Sequence, residues 1–143
     1  MTTPEPFGRA LLVDDGDLVL EGGKLVEVAG IANLVQALSL RILTPIGSDR
    51  FNTNYGLDVG QAFTEPNSFR VVRELLKLNL VRTLTADPRV GEVRRVTFDD
   101  DPERTAADPA GARTARISRK WTVVVDLDTV AGAAVTLRAN VEV

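Results

Sequence analysis

The N-terminal part of the chain alternates short apolar runs with tight turns. The apolar runs cover residues 11–13, 18–20 and 25–28, and they are separated by Asp15 with Gly16 and by Gly22 with Gly23. Short apolar runs bounded by such turn residues are typical of strands joined by tight turns. We therefore expect an N-terminal hairpin or small meander over residues 10–28.

Two later stretches carry apolar residues at helical spacing. The first predicts a helix over residues 29–43, which ends before Pro45 because a residue that precedes proline is pushed out of the helical conformation. The second predicts a helix from Pro66 to about Ala86. Glycines, prolines and asparagines fill residues 47–67 between them, and a connection of that length suggests a contact surface.

The second helix changes the direction of its apolar face along its length. Up to Leu78 the charged residues lie on one side of the helix. At about 100° per residue, Leu80, Val81 and Leu84 then fall on the side that those charged residues occupied. Either another segment of the same chain or a neighbouring subunit covers this second side. The pattern leaves both alternatives open.

The C-terminal half predicts three strands. Residues 90–98 indicate one strand, residues 99–118 a charged and alanine-rich surface loop, and residues 121–127 and 134–143 a hairpin with Gly132 in its turn. Taken together, the elements predict a single α+β domain over residues 1–143. In it, two helices pack on a mainly antiparallel sheet, with hairpins at both ends.

Composition removes several classes of function. The 143 residues contain no cysteine and no histidine, which excludes thiolate and Ser-His-Asp catalysis and ordinary zinc or non-heme iron sites. A net charge of −3 without a basic stripe argues against nucleic acid as a partner. No apolar run approaches the roughly 20 residues that span a bilayer. The N-terminus lacks the pattern of a secretory signal, so we expect assembly in the cytoplasm and no membrane insertion.

Acidic clusters are the remaining candidates for catalysis. Asp14 or Asp17 with Glu65 could form the carboxylate pair of a muramidase that cleaves peptidoglycan. Aspartates on turns are screened by water, whereas a catalytic acid needs an apolar site that raises its pKa. We therefore expect no enzyme activity, no cofactor and no metal, and we keep the muramidase as the alternative function.

Two features favour contacts with other proteins instead. Arg89 follows Asp87 and Pro88 at a predicted helix exit, where its planar fork could bind a carboxylate or cap carbonyl groups of another chain. The final strand ends on Val141, Glu142 and Val143 without a proline or lysine to blunt its edge. Such an edge can add a strand from a partner.

Several short motifs, in order and spacing, resemble one known family. They are Leu43-Thr44-Pro45-Ile46-Gly47 followed by Arg50, Asn54-Tyr55-Gly56, Phe63 with Pro66-Asn67, and Asp87-Pro88-Arg89-Val90. The family is the lysozyme-like baseplate wedge family of contractile phage tails, type VI secretion systems and extracellular contractile injection systems. The family commonly has Glu-Pro-Arg where this chain has Asp87-Pro88-Arg89, and Gly-Glu-Arg where it has Gly47-Ser48-Asp49-Arg50.

The resemblance implies a non-catalytic, structural role. It implies a wedge subunit that joins other wedge subunits to the central spike and hub, with six copies per ring, and that presents a platform for the first ring of sheath subunits. A sheath or tube terminator of the same machine is the second alternative. The expected interface residues are Pro45, Gly47, Tyr55, Gly56, Asp87, Pro88, Arg89, Val141 and Val143.

Overall fold

The computed structural model of the protein describes residues 6–60, 68–98, 101, 106–111, 113 and 120–142. These ranges contain the following helices and strands, in chain order. They are β1 (Arg9–Leu11), β2 (Val13–Asp14), β3 (Asp17–Leu18), β4 (Leu20–Glu21), β5 (Lys24–Leu25), β6 (Glu27–Ala29), α1 (Gly30–Leu43), α2 (Phe69–Thr85), β7 (Val90–Phe98), β8 (Lys120–Thr129) and β9 (Ala134–Glu142).

The first six strands form a small ribbon of three antiparallel pairs, which we call the N-terminal ribbon (residues 9–29). Strand β1 pairs with β6, β2 with β3, and β4 with β5. Single residues between the pairs join them: Leu12 N–H donates to the Val26 carbonyl (2.8 Å), Val26 N–H to the Val19 carbonyl (3.0 Å), and Val19 N–H to the Leu12 carbonyl (3.1 Å). The three hydrogen bonds close a cycle, so the three pairs meet at one junction.

Helix α1 follows the ribbon after a sharp change of direction. Gly30 has a φ of 67°, a left-handed conformation that glycine adopts without the steric cost of a side chain. The helix buries Leu34, Leu38 and Ile42 on one face, as the apolar spacing predicts. It ends before Pro45, and the predicted bounds of 29–43 differ from the observed helix by one residue.

Helix α2 begins at Phe69, and Ser68 serves as its N-cap by accepting a hydrogen bond from the Val71 N–H (3.5 Å). Its buried stripe consists of Val72, Leu76, Leu80 and Leu84. A spacing of four residues shifts the stripe by about 40° at each step, so it winds around the helix. The same chain therefore covers Leu80 and Leu84 of the second apolar side, whereas Val71 and Leu78 on the same helix are 44% and 51% exposed.

The three long strands form one antiparallel sheet in the order β7-β8-β9. Along β9, buried and exposed residues alternate strictly, whereas the central strand β8 alternates buried with half-buried residues. One face of the sheet thus lies in the core and the other is turned outward. On the core face, α1 packs mainly on β9 and α2 on β7, and the two helices also contact each other.

The α+β class, with helices on an antiparallel sheet and hairpins at both ends, is confirmed. The structure differs from the prediction in three places. The three N-terminal apolar runs are interrupted at Leu12, Val19 and Val26, where each strand changes partner. Helix α2 begins three residues after Pro66, which lies outside the described residues. Of the predicted loop 99–118 the structure describes residues 101, 106–111 and 113, and these include helical turns.

Candidate functional site

The Asp-Pro-Arg turn (Asp87, Pro88 and Arg89) connects the end of α2 to the start of β7. Backbone hydrogen bonds to the last carbonyls of the helix close its final turn, with Asp87 N–H donating to the Leu84 carbonyl (3.2 Å). Pro88 is exposed and cannot continue a helix. Val90 N–H then donates to the Asp87 carbonyl (3.1 Å), and β7 begins.

Asp87 and Arg89 bind each other across the proline. Arg89 donates from Nε to Oδ1 of Asp87 (2.9 Å) and from Nη2 to Oδ2 (2.7 Å), while its main-chain N–H also donates to Oδ1 (3.0 Å). Two parallel hydrogen bonds between a guanidinium and a carboxylate form a strong, directional pair. The Asp87 side chain is only 5% exposed, so its charge depends on this partner.

The electrostatics of the pair favour both charged forms. The hydrogen-bonded side chain of Arg89 lowers the pKa of Asp87 below its ordinary value, and this effect exceeds the opposing effect of burial. The pKa of Arg89 is raised, chiefly by its hydrogen bonds to the Asp87 carboxylate. Both groups are therefore ionised at neutral pH, and the pair acts as a fixed structural contact.

The third nitrogen of the Arg89 guanidinium reaches the N-terminal segment. Arg89 Nη1 donates to the Phe7 carbonyl (3.0 Å), which also accepts from Nδ2 of the buried Asn33 on α1 (2.7 Å). At the turn of the β8–β9 hairpin, Val130 N–H donates to the Arg89 carbonyl (3.0 Å). Arg89 thus fastens the N-terminal segment, the end of α2 and the β8–β9 turn to one another.

The 44–57 loop (residues 44–57) folds back onto itself beside α1. Its ends are joined by a parallel bridge between Pro45 and Leu57, and Leu57 N–H donates to the Thr44 carbonyl (2.8 Å). Gly56 has a φ of 116°, and a Cβ there would lie 2.3 Å from the Thr44 carbonyl oxygen. Only glycine fits this crossing, whereas Gly47 lies in open space at the exposed side of the loop.

Tyr55 links the 44–57 loop to α1 and to the Asp-Pro-Arg turn. The Arg41 guanidinium lies 4.6 Å from the centre of its ring, within the range of a cation–π contact. Thr83 Oγ1 on α2 donates to the Gly56 carbonyl (3.3 Å). The motif around Tyr55 therefore reaches α2 four residues before the Asp-Pro-Arg turn, and Tyr55 lies close enough to Arg89 to interact with it electrostatically.

Sequence reasoning did not single out Phe51, whose residue surface is 100% exposed at the tip of the 44–57 loop. Oδ1 of Asp49 accepts hydrogen bonds from the Phe51 and Asn52 N–H groups (2.8 and 3.2 Å), which hold the tip in a defined turn. A fully exposed aromatic side chain is a common anchor at protein interfaces. The signal was available in the sequence as a phenylalanine among polar loop residues.

The outer strand β9 has a regular edge. It pairs with β8 through nine successive residues, from Ala134 opposite Asp128 to Glu142 opposite Lys120, without a bulge. No strand lies on its outer side within the described residues. The Val141 side chain is buried in the core, so only its main chain is available at the edge. Val143 lies outside the described residues.

A cleft of about 430 Å³ opens between this edge and the 44–57 loop. Apolar residues dominate its lining, among them Ile42 and Leu43 of α1, Pro45 and Leu57 of the loop, and Val141 of β9. The cleft therefore brings together Pro45 and Val141, two residues of the expected interface that are far apart in sequence.

The candidate residues for other chemistry are not assembled into a site. Asp14 and Asp17 face each other across the β2–β3 pair and are both exposed to solvent, while Glu65 lies outside the described residues. Within the described ranges, no group of acidic residues is arranged to hold a metal ion. Over the same ranges, neither helix has the length and apolar character needed to cross a membrane.

The chain matches no protein-family model, and none of the curated proteins matches it in sequence.

Proposed function

We propose that this protein is a structural baseplate wedge subunit of a contractile injection system, and not an enzyme. It joins other wedge subunits to the central spike and hub, in six copies per ring assembled in the cytoplasm, and it provides the platform for the first sheath ring. The observation that carries the proposal is the regular edge of β9, along which no other strand of the described residues pairs. The order of the sequence motifs shared with the wedge family adds to it.

The two edges of the sheet differ in a way that favours β9 as the contact strand. Strand β7 has register shifts between Val90 and Glu92 and between Val93 and Arg95, and such bulges discourage the addition of another strand. Strand β9 is regular and carries only one acidic and one basic side chain, Glu142 and Arg138. Main-chain hydrogen bonds along β9 would bind an extended arm of a sheath subunit.

The other expected interface residues divide into two groups. Asp87, Arg89 and Gly56 are engaged or enclosed within the chain, so we assign them to shaping the surface. Pro45 and Gly47 are exposed and lie on the same loop as Phe51. We propose that this exposed side of the 44–57 loop contacts the neighbouring wedge subunit, with Phe51 as its anchor.

The first experiment is co-purification of the tagged protein from cells that express the neighbouring baseplate and sheath genes, followed by electron microscopy. Recovery of the protein in a ring at the base of the sheath is the expected result. Recovery at the distal end of the sheath would instead indicate a terminator. A turbidity assay on cell walls tests the muramidase alternative, and a baseplate subunit gives no lysis above buffer.

A pair of proline variants tests the edge itself. Neighbouring main-chain N–H groups of a strand point to opposite sides. Of Asn140→Pro and Val141→Pro, one therefore removes a main-chain hydrogen bond to β8, whereas the other keeps these hydrogen bonds and removes a donor from the outer edge. Thermal unfolding identifies the variant that retains the greater stability. We expect that variant to form baseplates without sheath, and normal sheath assembly on it would refute the role of β9.

A further inference from the structure

The junction of the N-terminal ribbon places six side chains on one face. The residues on either side of each junction residue point away from it, because successive side chains of a strand alternate between faces. The same six residues are directly paired across the strands and therefore share that face: Leu11 with Glu27, Val13 with Leu18, and Leu20 with Leu25. We call this ring of residues the leucine face.

Four leucines of this face are open to solvent. Leu11 is 40% exposed, Leu18 50%, Leu20 64% and Leu25 47%. Single exposed leucines are ordinary, but a contiguous group on one rigid ribbon is typical of a surface that binds a partner. Cross-strand pairing and the cycle of hydrogen bonds at the junction hold the leucines in place before any partner arrives.

Charge is segregated onto the same ribbon. Residues 9–29 contain five acidic residues, at 14, 15, 17, 21 and 27, and two basic residues, at 9 and 24, which gives a net charge of −3. The whole chain also has a net charge of −3, so the remaining residues are balanced. The leucine face is thus an apolar surface bordered by the protein's entire acidic excess.

From this juxtaposition we infer that the leucine face is a docking surface for a basic amphipathic segment of a partner protein, with apolar side chains flanked by lysine or arginine. Its leucines seat the apolar side chains, and the acidic arms of the ribbon attract and orient the basic ones. The inference goes beyond the baseplate role and does not depend on it.

The same charge argument disfavours other occupants. A second copy of the chain would bring an equal negative charge against the face, and like charges at an interface oppose association. An anionic lipid surface would be repelled for the same reason. A basic protein segment is the occupant that both the apolar ring and its acidic border favour.

The test uses the purified protein and a fluorescently labelled helical peptide of leucine and lysine, about five turns long, with binding measured by fluorescence anisotropy. The variant that combines Leu20→Thr and Leu25→Thr removes two exposed leucines and keeps every charge. We expect it to bind the peptide about tenfold more weakly, since lost apolar burial lowers affinity by this order. Threonine suits strands, and circular dichroism checks the fold.

Three comparisons make the result decisive. Val130→Thr changes a valine that is 67% exposed on the β8–β9 turn, outside the leucine face, and leaves binding unchanged. Asp14→Asn with Asp17→Asn weakens binding at low salt and reduces its salt dependence. A matched peptide of leucine and glutamate does not bind.

Several outcomes would overturn the inference. These are equal affinity of the leucine variant and the Val130 control, equal binding of the acidic peptide, or a dimer in sedimentation that disappears in the leucine variant. Stronger binding to vesicles of neutral phosphatidylcholine than to the peptide would also overturn it. Because only the isolated chain is used, failure here leaves the baseplate proposal standing.

Discussion

The N-terminal ribbon and the rest of the molecule hold their shapes by different means. Among the residues that the structure describes, the buried apolar core residues other than Phe7 lie between positions 34 and 141, in the helices, the 44–57 loop and the three-stranded sheet. The ribbon contributes none of them. Its shape comes from short ladders, the cycle of hydrogen bonds at the junction and a few contacts with the body.

The difference shows how a small protein can keep leucines at its surface without losing its fold. In the body, side-chain packing determines stability, so removal of even one buried methyl group lowers the free energy of unfolding. In the ribbon, main-chain hydrogen bonds determine the shape, so side chains are available for other uses. Substitutions in the two regions should therefore differ in size and in kind.

The largest effect is expected from truncation of a buried leucine in α2. Leu80 is fully buried, and Leu80→Ala should lower the free energy of unfolding by about 3 kcal/mol through lost burial and the cavity left behind. In the ribbon, the matched variant Leu20→Ala should cost less than about 0.5 kcal/mol, as for other exposed positions. Urea denaturation measures both. Similar losses would show that the ribbon is part of the cooperative core.

An intermediate effect is expected at the connection between the two regions. Asp87→Asn should lower the free energy of unfolding by about 2 kcal/mol at neutral pH, which is typical of hydrogen bonds to a charged group. The pKa of Asp87 is lowered in the folded protein, so the unfolded chain takes up its proton first as the pH falls. The advantage of the unsubstituted protein is therefore complete above about pH 5 and shrinks at more acidic pH.

Urea denaturation of both proteins between neutral and acidic pH checks this prediction. The difference between the two, and not either curve alone, isolates Asp87, because the other carboxyl groups titrate in both proteins. A difference that stayed constant, or grew, as the pH fell would contradict the assignment of Asp87 to the ion pair with Arg89.

A smaller effect on overall stability than that of Asp87→Asn is expected at Gln36. Its side chain on α1 accepts from the Val13 N–H (3.0 Å) and donates to the Leu11 carbonyl (2.8 Å), on both sides of a junction residue. Gln36→Ala should accelerate hydrogen exchange of ribbon amides while it lowers global stability by about 1 kcal/mol or less. Ser39→Ala is the control, because the Ser39 hydroxyl bonds only within its own helix. Unchanged ribbon exchange would count against this role.

Sequence periodicity predicted the body well because its elements follow local rules. The apolar spacing and Pro45 placed α1 to within a residue, and alternation placed β7 at its observed bounds of Val90–Phe98. The ribbon was predicted less well. Its apolar runs look like continuous strands, but Leu12, Val19 and Val26 mark changes of partner that depend on residues up to 14 positions away.

The candidate site shows the same limit. The spacing of Asp87, Pro88 and Arg89 suggested a carboxylate or carbonyl partner for Arg89 in another chain, and the structure supplies both within this chain. The carboxylate is two residues away, whereas the Phe7 carbonyl is 82 residues away. No local pattern could have indicated that second partner. The role of Arg89 between subunits stays a prediction.

The junction also makes the ribbon modular. The β2–β3 and β4–β5 pairs are each closed by their own turn, and Leu12, Val19 and Val26 hold the junction through hydrogen bonds to one another, so the length of either pair can change without moving the rest of the ribbon. The β4–β5 turn is open to solvent, since nothing lies within 4 Å of a Cβ built at Gly22 or Gly23. A peptide tag inserted between these two glycines would extend into solvent, which offers a handle for labelling the protein.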